Sequence, residues 1–206
     1  MKKYFAALST TALICSAPYA LAASSTDLTV KGTITPVACT PTLSNGGVID
    51  NGKISARDLD PVRSTQLKTY PLQLTVTCDA PIVFALKSID NKAGTGSTIS
   101  YFGLGLTDAG EKLGFVYVTT KYASADGQEV QPIMSDDSGT SWERARYIDP
   151  SVLVAVGTTA DNSIPIAVKD LSMDLEVITF IARADSLTLT DEVTMDGSAT
   201  FEMKYL

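Results

Sequence analysis

From residue 28 onward the chain is patterned in twos. In "LTVKGTI" (residues 28–34) Leu28, Val30 and Ile34 share one face of an extended segment, with Gly32 in the same row. "YPLQLTVTC" (70–78) alternates through Leu72, Leu74, Val76 and Cys78, and "SATFEMKYL" (198–206) puts Ala199, Phe201, Met203 and Tyr205 on one face. "APIVFALKSI" (80–89) and "KLGFVYVTT" (112–120) are longer apolar runs. "SVLVAVG" (151–157), "SIPIAV" (163–168) and "DLEVITFIARA" (174–184) complete the predicted strands. Between them lie breakers such as "SNGG", "KAGTGS", "ADGQ" and "DDSGTS". No stretch carries a long face of period 3.6. Many short strands at this spacing predict an all-β sandwich in one domain, with no internal repeat and no linker.

The two terminal strands change this picture. Thr200, Glu202 and Lys204 occupy the face opposite Phe201 and Tyr205, so a half-buried strand is expected to run to the last residue. Termini are usually frayed and polar, and a strand there implies that something pairs with it. The segment 28–34 is half apolar in the same way. Both are expected at sheet edges, where unpaired N–H and C=O groups invite another chain.

The start of the chain predicts the compartment. "MKKYFAALSTTALICSAPYALAA" has Lys2 and Lys3, an apolar run, and the small-x-small pattern Ala20-Leu21-Ala22, which reads as a secretory signal over residues 1–22. It is too short to span a membrane. Its removal from 206 residues leaves 184, and the loss of two lysines from 16 basic residues set against 23 acidic ones leaves a net charge of −9. That balance argues against nucleic acid or an anionic membrane as partner. Of the three cysteines Cys15 leaves with the signal, and Cys39 with Cys78 reads as one disulfide of an exported protein. Their strands are expected to face each other across the sandwich, with Cα atoms roughly 4.4 to 6.8 Å apart.

Candidate chemistry is sparse. The chain contains no histidine, which removes Ser-His and Cys-His nucleophiles and every histidine-containing zinc site. Asp136-Asp137 is the obvious carboxylate pair, but "SDDSGTSWER" reads as a solvated turn. "GLGL" (103–106) lacks the third glycine of a dinucleotide fingerprint, which falls on Asp108. The expectation is a protein that is not an enzyme and needs no cofactor or metal.

Several of these residues carry a family resemblance. An alternating arm with a glycine ("LTVKGTITPVAC"), a first cysteine just after it, a second within an L-x-L-x-V-x-C strand, and the closing "ITFIARA" and "GSATFEMKYL" resemble the chaperone-usher pilins, the subunits of bacterial fimbriae. Residues 180–183 are similar to the family's F-x-A-R strand, and Ala199-Thr200-Phe201 with penultimate Tyr205 to its terminal motif. Two features depart from the pattern: Val193 stands where the family often has a glycine, and Ser24 and Thr26 are polar members of the donor row.

The resemblance implies an immunoglobulin-like β-sandwich of pilin type, incomplete, with a groove beside the C-terminal strand. It implies a donor-strand arm over residues 23–34, with Leu28, Val30, Gly32 and Ile34 as donor residues, and a sandwich domain over 35–206. Ala199, Phe201, Met203, Tyr205 and Leu206 would form the groove strand that binds a periplasmic chaperone. The implied function is a structural subunit assembled by donor-strand exchange and mediating surface adhesion. Its implied partners are chaperone, outer-membrane usher, other pilin subunits and a host-surface glycan, and its route is export through the periplasm to a fimbrium on the cell surface. Two other classes stand beside this one. A free-standing, lectin-like module would use Trp142, Tyr147 or the aromatics of "SYFG" (100–103), and a hydrolase would use paired carboxylates near Trp142.

Overall fold

Alternation becomes strand over most of the chain in a computed structural model that describes residue 29 and residues 37–206. The strands are β1 (Cys39–Leu43), β2 (Thr65–Ile82), β3 (Phe84–Asp90), β4 (Phe102–Gly103), β5 (Gly114–Ala125), β6 (Gln128–Ser135), β7 (Glu143–Arg144), β8 (Tyr147–Ile148), β9 (Leu153–Gly157), β10 (Val168–Ile181) and β11 (Ala199–Tyr205). Helical structure among the described residues is confined to three short 3-10 turns, at Ser44–Gly47, Ala56–Asp58 and Ala184–Ser186. The expected signal segment and the donor residues Leu28, Val30, Gly32 and Ile34 lie outside the described residues.

The strands pair antiparallel in the order β1-β2-β10-β5-β6-β9-β3-β11, with β4 and β8 on β5 and β7 on β6. β6 turns this path into two layers. Its first residues pair with β5, through Ala123↔Val130, and its later ones pair with β9, from Gln131↔Gly157 to Ser135↔Leu153. One layer is built on β1, β2, β10 and β5, the other on β9, β3 and β11. The inward rows of both meet in one core, which includes Leu74 and Val76 from β2, Met173 and Leu175 from β10, Leu86 from β3 and Val154 from β9. The fold is therefore an all-β sandwich, as the alternation predicts.

Local chemistry fixes the joints. The hairpin between β5 and β6 turns at Asp126 (φ 52°) and Gly127 (φ 78°), the left-handed pair that an Asp-Gly dipeptide adopts with least strain. The Asp126 carboxylate also accepts the backbone N–H groups of Lys169 and Asp170, holding the bulged start of β10. Gly114 opens β5 where a Cβ atom would lie 2.0 Å from the Phe180 carbonyl oxygen, so only glycine fits.

The structure corrects several sequence readings. Residues 70–78 and 80–89 belong to longer strands, β2 and β3, interrupted only at Val83. "SIPIAV" does not form a strand of its own: Ile164 is exposed, Pro165 has no N–H, and only Val168 enters β10. β1 and β6 went unread because Pro41 and Pro132 interrupt them, and proline normally argues against a strand. The disulfide between Cys39 and Cys78 is present, but it joins neighbouring strands of one layer rather than two layers. The two residues stand directly opposite in the β1/β2 ladder with Cα atoms 4.0 Å apart, below the expected range. The cause is the ladder itself, because Asp79 N–H donates to Ala38 O and leaves the next pair in the close, non-hydrogen-bonded position.

Candidate functional site

β11 is fastened on one side. It pairs with β3 in the register Ala199↔Asp90 to Tyr205↔Phe84. Asn91 N–H donates to Ser198 O at 3.0 Å and Leu206 N–H to Val83 O at 3.1 Å, so the even-numbered residues exchange bonds with β3. By the alternation of an antiparallel ladder, Ala199, Phe201, Met203 and Tyr205 direct their N–H and C=O groups away from β3. Among the described residues no strand receives them. The side chains of Phe201, Met203 and Tyr205 turn inward and pack on the main core, whereas Thr200, Glu202 and Lys204 are exposed.

β1 forms the other end of the strand order. The same alternation turns Cys39, Pro41 and Leu43 away from β2. Pro41 has no N–H to offer. The Cys39 N–H already donates to Tyr205 Oη at 3.0 Å, a bond that ties the two outer strands together at one end of the gap between them.

At the other end the gap opens into a cavity of about 290 Å³. Its floor is the inward row of the first layer, including Leu72, Val118 and Val177. Leu43 and Ile49 wall it on the β1 side, and Ala199 and Phe201 on the β11 side. Polar groups share the lining with apolar ones: Asn51, Thr179 and Ser198 all face the cavity, Asn51 Nδ2 donates to Thr179 Oγ1 at 3.2 Å, and Thr179 is 2% exposed. An extended strand laid along β11 would find unpaired backbone groups beside it and cavity space beneath its alternate side chains.

The predicted site residues divide accordingly. Ala199 and Phe201 line the cavity, while Met203 and Tyr205 pack on the core toward the closed end. Leu206 is 49% exposed, with its side chain beside Gly139. The residues missed from sequence are Leu43 and Thr179, brought to the groove by the pairing of β1, β2 and β10, and Ile49 and Asn51, brought there by the segment after the turn Ser44–Gly47. Pro41 was the one legible signal of a blunted edge.

The carbohydrate and carboxylate candidates separate as well. Trp142 packs on Ala85, Ile133, Leu153 and Ala155, and its Nε1–H donates to Gly139 O at 3.2 Å. Asp137 lies in a turn, where its carboxylate accepts from Ser141 Oγ–H and N–H, Ser135 Oγ–H and Thr140 N–H. These bonds, led by those of Ser141, hold its pKa far below the ordinary carboxylate value. Among the described residues no group of three or more Cys, Asp or Glu side chains is arranged to hold a metal ion. No helix of the described residues is long and apolar enough to cross a membrane.

Among the described residues, fold and site together define a two-layer antiparallel sandwich with an open strand edge, that of β11, beside a cavity. Residues 28–101 match the family described as "Protein of unknown function (DUF1120)", a span that takes in β1, β2, β3 and both bridged cysteines. The chain is 35% identical over 136 residues to Protein GltF of Escherichia coli (strain K12), in an alignment covering 51% of this chain and 54% of GltF. It therefore spans about half the length of that relative. It is 25% identical over 230 residues to Uncharacterized protein YhcF of the same strain, covering 93% of this chain and 96% of YhcF.

Proposed function

We propose that this protein is an exported structural subunit of a chaperone-usher fimbria, an incomplete immunoglobulin-like sandwich that takes up a strand beside β11. The observation that carries the reading is the free edge of β11, where four residues direct backbone groups outward next to the cavity. An added strand gains main-chain hydrogen bonds along that edge, and alternate side chains entering the cavity give selectivity. A periplasmic chaperone would supply that strand first and the arm of another subunit later, with the usher as the site of exchange. The arm of this chain, through Leu28, Val30, Gly32 and Ile34, would serve the next groove in turn. The route is through the periplasm to the cell surface, where the fibre mediates adhesion. The chain's chemistry is thus binding rather than catalysis.

The test uses the exported protein and a peptide of residues 23–34. The peptide is expected to bind and to raise the thermal midpoint, and the protein to form oligomers that resist SDS. Gly32→Leu is expected to abolish those oligomers and leave the fold intact. Failure of the peptide to bind, together with an absence of oligomers in the unaltered protein, would overturn strand exchange. A second reading, a free-standing binding module, draws on Tyr101 and Tyr117, whose ring centroids lie 5.0 Å apart.

A further inference from the structure

The groove lies on the inner face of the first layer, and the outer face of the same layer carries aromatic side chains where a solvated sheet normally shows polar ones. The register lays these residues out as a grid. β10 directs Ile178 and Phe180 outward, opposite Tyr117 and Phe115 of β5. Thr119 follows Tyr117 along β5 and stands opposite Tyr147 of β8. Tyr101 enters just before β4, its ring 5.2 Å from Phe115 and 5.0 Å from Tyr117, and Phe115 stacks on Phe180 at 4.8 Å. All of these residues are half-buried.

The polar atoms on this face are unspent. Among the described residues the tyrosine hydroxyls that hydrogen-bond are those of Tyr70 and Tyr205, while Tyr101, Tyr117 and Tyr147 bond to nothing. Thr119 Oγ1, between Tyr147 and Glu176 in the register, is buried without a partner. Burial, with Tyr101 second, pushes the Tyr117 hydroxyl up, and burial followed by Asp149 does the same for Tyr147. Both stay protonated at neutral pH and can donate as well as accept. Lys121, a cation near this face, is paired with Glu176 at 2.9 Å.

We propose that this outer face binds a neutral saccharide, with ring C–H groups against the edges and end faces of the aromatic ladder and sugar hydroxyls on Tyr101, Tyr117 and Tyr147. Size favours a small ligand over a protein. These seven side chains cover roughly 200 Å² by ordinary sheet spacings, against about 800 Å² per partner in a stable protein interface. The carboxylate of Glu176, level with Thr119 in the register, and its pairing with Lys121 favour an uncharged sugar over an acidic one. This inference rests on the adhesive part of the function proposed above and is independent of strand exchange.

The experiment titrates the exported protein with neutral oligosaccharides of glucose, galactose, mannose and N-acetylglucosamine, and with one sialylated oligosaccharide. Tyrosine fluorescence and saturation-transfer NMR report binding, and SDS-resistant oligomers are scored on the same samples. At least one neutral sugar is expected to bind saturably. Tyr117→Phe is expected to weaken it about tenfold, the scale of one lost hydrogen bond to a buried partner, without moving the thermal midpoint. Tyr101→Ala should weaken it further. The inference is overturned if no neutral sugar saturates, if the sialylated one is preferred, if affinity is unchanged in both variants, or if Tyr101→Ala removes self-association instead. Loss of sugar binding with oligomers intact removes this inference alone. Loss of oligomers with sugar binding intact removes strand exchange alone.

Discussion

The two outer strands of the sandwich end in opposite chemical states. β1 is blunted: Pro41 has no donor, the Cys39 N–H is taken by Tyr205 Oη, and a disulfide fixes the strand to β2. Among the described residues β11 is open over four positions, with the cavity beside it. Edges invite pairing unless something blunts them, and here the blunting falls on one strand only. A strand entering the gap therefore finds its hydrogen bonds on β11, while β1 supplies a wall. The comparison also separates two jobs of Tyr205, whose ring fills the core while its hydroxyl caps the opposite strand.

The largest effect should come from unpinning the blunted edge. The disulfide links residues 39 apart in sequence, and a loop of that size contributes about 4 kcal/mol in the chain-entropy account. Cys39→Ser with Cys78→Ser should lower unfolding stability by that order, measured by urea denaturation with and without reductant. Equal midpoints in the two conditions would remove the bridge from the account of β1. Tyr205→Ala should come next, at about 3 kcal/mol for a large-to-small change in a packed site. Tyr205→Phe keeps the ring and loses only the bond to Cys39, about 1 kcal/mol, and Lys204→Ala on the exposed face should stay within roughly 0.5 kcal/mol. A Tyr205→Phe loss as large as that of Tyr205→Ala would show that the hydroxyl, not the ring, joins the strands.

Two smaller effects sharpen the contrast. Pro41→Thr restores an N–H to the blunted edge, so concentration-dependent self-association in sedimentation should rise while the thermal midpoint moves little. The open edge has an acid-sensitive support. The turn knit by Asp137 meets β11 through Lys204 Nζ, which donates to Ser138 O at 3.3 Å. The Asp137 pKa is held below its ordinary value, chiefly by Ser141. The stability this adds is present above the unfolded value of roughly 3.9 and is lost as pH falls through the lower folded value. Asp137→Asn should flatten that acid limb in a pH series of thermal midpoints. An unchanged limb would place the acid sensitivity elsewhere, with Asp60, Glu111 and Asp161 as the other lowered carboxylates.

The parts legible in sequence were those a local pattern can carry. Period-2 rows such as Leu72, Leu74 and Val76 gave strands with a defined inner face, and "ADGQ" marked the break after β5. The half-buried row of Phe201, Met203 and Tyr205 was readable in the same way. β1 and β6 were not, because a proline inside a short run carries the same local signal whether the chain turns or forms an edge. Nor was the outer aromatic face: Phe115, Tyr117 and Val118 read as one apolar run, since periodicity cannot tell a strand covered on both faces from one carrying an exposed ladder.

Sequence alone determined the all-β class, the longer strands with their inward rows and the identity of the bridged cysteines, because each depends on neighbours a few residues apart or on simple counting. Tertiary structure decided which strands became edges, that the disulfide lies within one layer, and that Leu43, Ile49, Asn51 and Ala199 meet around one cavity. Those outcomes depend on pairings between residues far apart in the chain, such as Cys39 with Tyr205 or Tyr101 with Tyr117. Strand order and register are settled by which rows bury the most apolar surface together, a property of the assembled layers that no single segment encodes.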